Sequence, residues 1–237
     1  MIRTLLAALA AIAAGTALSA AGPGDPPPPN LPVPHAEYPG DQPVRVVPVA
    51  SYTLALIWTP QHCLRAVGGA ESLKCNRDTG ARFVLHGLWP DGEGANWPQW
   101  CAAAAILPKK VIAAHYWATP SPQLMQHEWA KHGTCIPGAT PETYFDQSNR
   151  LFYGLRFPDM RSLAEAPTTE SKFAQAFAAA NPGMQPDSIR LNLDKQGWLQ
   201  EVWLCLDTGY QSVQCAAPAQ PARVVHIRTP GGARFRS

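Results

Sequence analysis

Six cysteines constrain the fold of this chain more than any other feature of its sequence. They are Cys63, Cys75, Cys101, Cys135, Cys205 and Cys215. An even set of cysteines is typical of an exported protein that forms disulfide bonds, so we expect all six to be bridged. Zinc binding is the alternative, but the short paired spacing C-x-x-C that many zinc sites use does not occur. The sequence alone leaves the connectivity open.

Residues 1–21 are predicted to be a signal peptide. Arg3 supplies a positive charge, residues 5–18 form an apolar run, and the small residues Ser19, Ala20 and Ala21 follow. Cleavage is expected between Ser19 and Gly22. The apolar run is a poor membrane anchor, and no later stretch has the length of a membrane span. We therefore expect an exported, soluble protein, either periplasmic or secreted.

Residues 22–48 are predicted to be a Pro-rich linker. Ten of the 25 prolines lie between positions 23 and 48, without a sustained apolar period. Such a composition favours an extended, polyproline-like chain. A single folded domain is expected at 49–230, followed by a basic tail at 231–237. The sequence leaves open what the linker and the tail do.

Charge and hydrophobic content exclude two broad classes of protein. Because 46% of the 237 residues are hydrophobic, the chain can bury a sizeable core, which argues against disorder over its whole length. The formal charge of only +2 argues against a broad basic surface for duplex nucleic acid. A single-stranded or small anionic ligand remains compatible with this charge.

Local patterns predict strands towards both ends of the domain and helices between them. Strands are predicted at residues 52–58, 82–88, 189–193, 198–206 and 223–228, the second stopping at Trp89-Pro90. Helices are predicted at 102–117 with an interruption at Pro108, at 122–132 with Gly133 ending it, after an N-cap at Thr140, and at 171–180. This order indicates an α+β fold with a mainly antiparallel β-sheet and helices packed around it.

Four side chains that bind or move protons lie within residues 126–135. On a helix, His127 and Lys131 are neighbours four residues apart, and Glu128 and His132 form a second such pair on the adjacent stripe. One face would then carry two imidazoles, a carboxylate and an ammonium, a set suited to proton traffic around a negative group. In isolation, Glu128 and Lys131 are more simply interpreted as a solvated surface pair.

A third histidine, His86, is predicted to lie in an otherwise apolar strand. A single histidine in such a strand is more often a hydrogen-bonded core residue than a site residue. Gly87 favours the functional interpretation, because a glycine in a strand often marks the close approach of a ligand or another backbone. His86 is therefore a candidate partner for the charged helix face.

Two segments together resemble the active-site segments of the ribonuclease T2 family. The first, residues 86–90, reads His-Gly-Leu-Trp-Pro, and the second, residues 127–135, reads His-Glu-Trp-Ala-Lys-His-Gly-Thr-Cys. Both stand in the order found in the family, and the resemblance covers most of residues 50–215. It implies a ribonuclease T2-like, disulfide-bridged fold that cleaves single-stranded RNA through a 2′,3′-cyclic phosphate, with no cofactor and no metal.

The resemblance also implies roles for the charged residues. His132 would be the general base, His86 the general acid and His127 a phosphate ligand, while Lys131 and Glu128 would stabilise the phosphorane. The residue types support these roles independently, because an imidazole both accepts and donates protons near neutral pH, and cations stabilise the developing charge. The 2′-hydroxyl of the substrate is the nucleophile, so the chemistry selects RNA over DNA.

Base recognition is predicted at four positions. Trp89 offers a stacking face and Asp91 an acceptor for an exocyclic amine, as in fungal family members, and Trp97 offers a second wall. Leu124 stands where some relatives carry an aromatic residue, which leaves the base preference open. Trp97 and Trp100 are also compatible with a purely structural role beside Cys101.

The resemblance implies a disulfide pairing as well. Cys101 would pair with Cys135 and Cys205 with Cys215, which leaves Cys63 for Cys75. We expect a monomer that binds single-stranded RNA and has no membrane anchor. Two other classes remain as alternatives: a zinc hydrolase, for which the spacing of His127 and His132 is one residue too long, and an exported binding protein without turnover.

Overall fold

The computed structural model describes residues 25–64, 75, 82–94, 96–217 and 219–229. The predicted signal peptide with its cleavage site, and the predicted basic tail at 231–237, lie outside these residues. Within the described part of the chain, no helix is long and apolar enough to cross a membrane.

A four-stranded antiparallel sheet forms the centre of the domain. Its strands are β1 (Ser51–Trp58), β2 (Phe83–Asp91), β4 (Ile189–Leu193) and β5 (Leu199–Leu206), in the order β2-β1-β5-β4. The short strands β3 (Thr168–Thr169) and β6 (Val224–Val225) form a separate antiparallel pair. This arrangement confirms the predicted α+β class with an antiparallel sheet.

Helices surround the sheet and cover one of its faces. They are α1 (Thr59–His62), α2 (Lys109–His115), α3 (Pro122–Lys131), α4 (Pro141–Gly154), α5 (Met160–Glu165) and α6 (Glu170–Ala180). Phenylalanines from α4 and α6 join leucines of the sheet in one apolar core. Thr140 caps α4 as predicted, accepting a hydrogen bond from the Thr143 backbone N–H at 3.3 Å.

Strand β2 continues past Leu88, the predicted last residue of this strand. Trp89 and Pro90 belong to the strand and pair with Thr53 and Tyr52 of β1, so the predicted stop at Trp89-Pro90 is wrong. An edge strand tolerates proline, because only one side of its backbone bonds to a neighbouring strand. The longer strand matters for the site, since regular pairing now fixes the direction of the Trp89 and Asp91 side chains.

The helix predicted at residues 102–117 is also wrong in its first half. Residues 102–108 are not helical, and α2 begins only after Pro108. The buried side chain of Gln126 on α3 replaces the helical hydrogen bonds there. It accepts from the Leu107 N–H at 2.8 Å and donates to the Ala105 carbonyl at 3.2 Å. The side chain of Gln126 thus bonds to backbone groups of this segment that have no helical partners.

Three disulfide bonds join Cys63 to Cys75, Cys101 to Cys135 and Cys205 to Cys215, the pairing that the family resemblance implies. The second bond is the important one for the site. It links the turn after α3 to the loop after β2, so it holds together the two chain segments that carry the predicted catalytic residues.

The Pro-rich segment before β1 lies against the domain. Residues 25–48 contain no helix and no strand, as expected for a polyproline-like chain. Leu31 nevertheless packs against the core, and Pro34 is buried. The indole N–H of Trp117 donates to the carbonyl of Asp25 at 2.8 Å. Arg45 exchanges two backbone hydrogen bonds with Gln99. The segment is thereby held against the folded domain.

Candidate active site

A β-bulge places His86 in the site. The pairing of β1 with β2 passes from Ala55–Gly87 to Leu56–Leu85, so His86 is the extra residue without a partner in the ladder. Leu85 therefore points into the core, while His86 lies on the other face of the sheet, the open face, which lines a cavity. Bulges of this kind often re-aim a side chain beside an active site.

Helix α3 and the residue that follows it supply the other four predicted catalytic side chains. Pro122 occupies its first turn and the Ser121 hydroxyl caps it, accepting from the Leu124 N–H at 3.3 Å. The helix ends at Lys131, one residue before the predicted end, and His132 is the C-cap residue, with its N–H bonded to the Glu128 carbonyl at 3.0 Å. The ring of His132 lies against Trp89 of β2.

Glu128 is buried at the junction of α3 and β2, with 1% of its surface exposed. Its Oε2 accepts from the indole N–H of Trp89 at 2.7 Å, and its Oε1 lies 3.4 Å from Nε2 of His86. Burial raises the pKa of this carboxyl, while the charges of His86 and His127 oppose that shift. A β-carbon at position 87 would overlap the Glu128 carboxylate. Gly87 thus admits a side chain, where the sequence analysis expected a ligand or a backbone.

His132 is held in a nearly dry position against Trp89. Its ring stacks on the indole, with centroids 5.5 Å apart and planes 29° apart. Burial lowers the pKa of His132 well below its ordinary value, and the charges of Lys131, His127 and His86 lower it further. Its Nδ1 is buried and has no hydrogen-bond partner among the described residues. The neutral imidazole is therefore the favoured form at neutral pH.

His86 has a carboxylate on each side of its ring. Nδ1 lies 2.6 Å from Oε1 of Glu201 on β5, and Nε2 lies near Glu128 as described. Although burial raises the pKa of Glu201, hydrogen bonding and charge from His86 lower it to about 2. Glu201 is therefore ionised over the whole neutral range. Glu201 is not among the predicted site residues, although its alternation with the buried Val202 and Leu204 places it on the open face of the sheet.

A third carboxylate reaches the site from the Pro-rich segment. Oε2 of Glu37 lies 3.3 Å from Nδ1 of His127, and its Oε1 accepts a hydrogen bond from the Gln123 side chain. The backbone of His35 exchanges two further hydrogen bonds with Gln123. The sequence carries no signal for this contact, because Glu37 and His127 are 90 residues apart.

These groups surround one open cavity of about 530 Å³. Eight predicted site residues line it, namely His86, His127, Glu128, Lys131, His132, Trp89, Asp91 and Trp97. Leu124, also predicted to contact the base, is absent from the lining and lies in the first turn of α3. Four further lining residues are not among the predicted site residues: Thr53, Pro90, Arg190 and Trp203.

The part of the cavity beyond Trp89 combines aromatic faces with one acid. Trp97 is 46% exposed, with the Arg45 guanidinium 4.6 Å from its ring centre. Asp91 accepts from the Thr53 hydroxyl at 2.6 Å, and burial raises its pKa. Exposed aromatic faces suit the stacking of a planar ligand. Trp100 is 6% exposed, which fits the structural role that the sequence left open for it.

The arrangement provides one neutral imidazole and one imidazole held by carboxylates, both lining a cavity that the Lys131 ammonium also lines. Such a pair serves as a base and an acid for a single reaction, while the cation stabilises negative charge that develops between them. Among the described residues, no three His, Cys, Asp or Glu side chains are placed to hold a metal ion.

Comparison with known proteins identifies the relatives of this chain. The model of the ribonuclease T2 family matches residues 49–215. A protein of Aeromonas hydrophila described as a ribonuclease is 32% identical over 178 residues, covering 71% of this chain and 77% of that protein. The structure of trichomaglin, described as an S-like ribonuclease, superposes with a TM-score of 0.61 at 21% identity, covering 76% of this chain and 97% of that one. RNase NT, solved with 5′-AMP, gives a TM-score of 0.52 at 21% identity, covering 76% and 98%.

Gly87→Ala tests the contact between β2 and α3. Because the added methyl group would overlap the Glu128 carboxylate, we expect the free energy of unfolding to fall by about 1–3 kcal/mol, as for other overpacked sites. Indole fluorescence should also change, since Trp89 bonds to the displaced carboxylate. Gly154→Ala is the matched control: a β-carbon there meets no atom within 4 Å. Equal stability of the two variants would contradict the predicted overlap.

Proposed function

Because the chain belongs to the ribonuclease T2 family of endoribonucleases, we propose that it cleaves single-stranded RNA without a metal ion, through a 2′,3′-cyclic phosphate. The observation that carries this proposal is the contrast between two histidines of one cavity. His132 is buried with a lowered pKa, whereas His86 lies between two carboxylates. Transphosphorylation needs such a base and such an acid at the same time.

His132 acts as the general base. It takes the proton of the substrate 2′-hydroxyl while that oxygen attacks the phosphorus. A base must begin neutral, and the burial of His132 favours the neutral form. The stacked Trp89 ring keeps the imidazole in place during the transfer. The attacking oxygen belongs to the substrate, so DNA, which lacks the 2′-hydroxyl, is not cleaved.

His86 acts as the general acid. Its Nε2 gives a proton to the 5′-oxygen as the bond between phosphorus and that oxygen breaks. The acid must begin protonated, and the carboxylates of Glu201 and Glu128 favour the imidazolium. In the subsequent hydrolysis of the cyclic phosphate the two histidines exchange roles, since the same proton transfers then run in reverse.

The remaining charged groups hold the phosphate. Lys131 places an ammonium at the cavity, and His127 contributes a second cationic group when it is protonated. Both oppose the negative charge that develops on the pentacovalent phosphorus. Glu128 bonds to Trp89 and faces His86, so it fixes these two rings around the phosphate rather than contacting a negative substrate directly.

The base of the substrate nucleotide is proposed to stack between Trp89 and Trp97, near Asp91. Support comes from the exposed aromatic faces of the cavity and from RNase NT, a relative in fold that was solved with 5′-AMP. Leu124 has no part in this proposal.

We further propose that the protein is exported to the periplasm or secreted, as its predicted signal peptide and its three disulfide bonds suggest.

The direct test is an incubation of the purified protein with a single-stranded oligoribonucleotide in excess EDTA. We expect fragments that end in a 2′,3′-cyclic phosphate, detected by mass spectrometry, and no cleavage of the matching oligodeoxyribonucleotide. His132→Ala should lower kcat by about 10²–10⁴-fold, the usual contribution of a general base. Complete dependence on added zinc would identify a zinc hydrolase instead. Binding of the RNA without turnover would support the alternative of a binding protein.

The pH profile tests the state of His132. Since burial lowers its pKa, the base stays neutral below the ordinary histidine value of about 6.5. We therefore expect the acid limb of kcat/KM to lie below about pH 6.5, in a profile measured from about pH 4 to 8. Glu201, with a pKa of about 2, remains ionised throughout this range. Lys131→Gln removes a charge that lowers the His132 pKa, so it should move the acid limb to higher pH. A limb at or above about 6.5 in the parent protein would refute this assignment.

Glu37→Gln tests the contact between the Pro-rich segment and the phosphate site. The variant lacks the negative charge beside Nδ1 of His127, and this charge would hold the His127 ring in place to bind the phosphate. We expect KM for a dinucleoside phosphate to rise by about 3- to 10-fold, since an interaction of this kind contributes about 1 kcal/mol. Asp41→Asn, an exposed change in the same segment, is the control and should leave KM unaltered. An unchanged KM for Glu37→Gln would show that the contact is dispensable.

A further inference from the structure

Glu201 lies on the open face of the sheet, at a position fixed by two neighbouring strands. Its backbone pairs with Ile57 of β1 and with Asn192 of β4. The side chain is 14% exposed, so a charge at this position loses much of its hydration. A buried carboxylate is costly unless other groups bond to it. Backbone pairing with β1 and β4 already holds β5 in the sheet. The sheet therefore does not require a charged side chain at position 201.

Both oxygens of Glu201 have partners in fixed directions. Oε2 accepts from the Asn192 side-chain amide at 2.9 Å and from the Trp203 indole N–H at 2.8 Å. These two donors hold the carboxylate in one orientation. The other oxygen, Oε1, is thereby aimed at Nδ1 of His86, 2.6 Å away. The short distance is typical of a charge-assisted hydrogen bond.

We propose that Glu201 is a positioning residue for the general acid, an inference that rests on the proposed function of His86. The carboxylate accepts the Nδ1–H of His86 and stabilises the imidazolium. The proton to be transferred therefore resides on Nε2, the ring nitrogen that is not bonded to Glu201. When the bond between phosphorus and the 5′-oxygen breaks, that proton moves to the oxygen. The neutral ring keeps its Nδ1–H bonded to Glu201, which itself gains no proton.

The other groups around His86 do not supply this function. Glu128 of α3 lies 3.4 Å from Nε2, the side from which the proton leaves, and it is also bonded to Trp89. Trp89, on the same strand, presents its ring at 5.0 Å. Lys131 and His127 of α3 also line the cavity, but cationic groups oppose a positive charge on His86, and the neutral His132 does not stabilise one. Glu201 is the carboxylate that bonds to Nδ1 at short distance, and it comes from a different element.

Glu201→Gln should reverse the polarity of this contact. The donors of Asn192 and Trp203 require an oxygen, so the amide oxygen of the variant takes the place of Oε2. Its NH₂ group then faces Nδ1 of His86, which must accept a hydrogen bond. The imidazolium, which has no free acceptor, is disfavoured. The variant therefore has less of the protonated acid, and the alkaline limb of its pH profile moves to lower pH.

The test compares two substrates that differ in their need for the acid. Cleavage of uridylyl-3′,5′-adenosine requires protonation of the leaving oxygen. Uridine 3′-(4-nitrophenyl phosphate) releases a nitrophenolate, which leaves as a stable anion. We expect Glu201→Gln to lower kcat/KM by roughly 10- to 100-fold on the first substrate, less than loss of the general acid itself, and by about 2-fold or less on the second. The ratio of the two rates does not depend on the folded fraction, so even a destabilised variant gives a result.

Two control variants establish that the charge at this position is responsible. Glu201→Asp retains the charge. Its ratio of kcat/KM on the two substrates should therefore lie between that of Glu201→Gln and that of the parent protein. Glu170→Gln removes another buried carboxylate, which is paired with Arg223 at 3.2 Å outside the cavity, and should leave the ratio unchanged. Equal losses on both substrates for Glu201→Gln, or no loss on either, would overturn the inference.

Histidine variants separate this inference from the proposed function. His86→Ala should lose activity on the dinucleoside phosphate and retain it on the nitrophenyl ester, while His132→Ala should lose activity on both. If His86→Ala fails to discriminate between the substrates, the assignment of the acid fails, and the inference about Glu201 fails with it. If His86→Ala discriminates and Glu201→Gln does not, the inference alone is overturned.

Discussion

The buried carboxylate of Glu128 is the contact on which the geometry of the site depends. It comes from α3, passes over Gly87 and bonds to the indole of Trp89, so it joins the catalytic helix to the edge strand. Trp89 in turn stacks on His132 and meets His86 edge-on. A buried charge is stable only with such partners. One side chain therefore joins α3 to Trp89, the ring that contacts both proposed proton-transfer histidines.

The sequence predicts those features of the site that depend on residues close together along the chain. The spacing of His127, Glu128 and Lys131 places them on neighbouring stripes of one helix, and Pro122 marks where that helix begins. The antiparallel sheet follows from apolar runs rich in β-formers. The disulfide pairing came from the family resemblance, because the number and spacing of cysteines admit several connectivities.

The features that the sequence did not predict depend on contacts between distant residues. Pro90 remains in a strand because β2 lies at the edge of the sheet, which no local pattern shows. Residues 102–108 are not helical, and Gln126 bonds to their backbone at Ala105 and Leu107. The bulge at His86 exists only in relation to β1. Glu201 and Glu37 lie 115 and 90 residues from their histidine partners, and local periodicity carries no information at such separations.

The three histidines of the cavity differ in what lies behind their Nδ1 atoms. A carboxylate stands there for His86, from β5, and for His127, from the Pro-rich segment. His132 has a buried Nδ1 with no partner among the described residues. In the proposed mechanism, the first two rings need a positive charge, one to donate a proton and one to bind phosphate, while the third must be neutral to accept a proton. The same side-chain type thus serves opposite purposes, because a carboxylate backs two of the rings and dry packing surrounds the third.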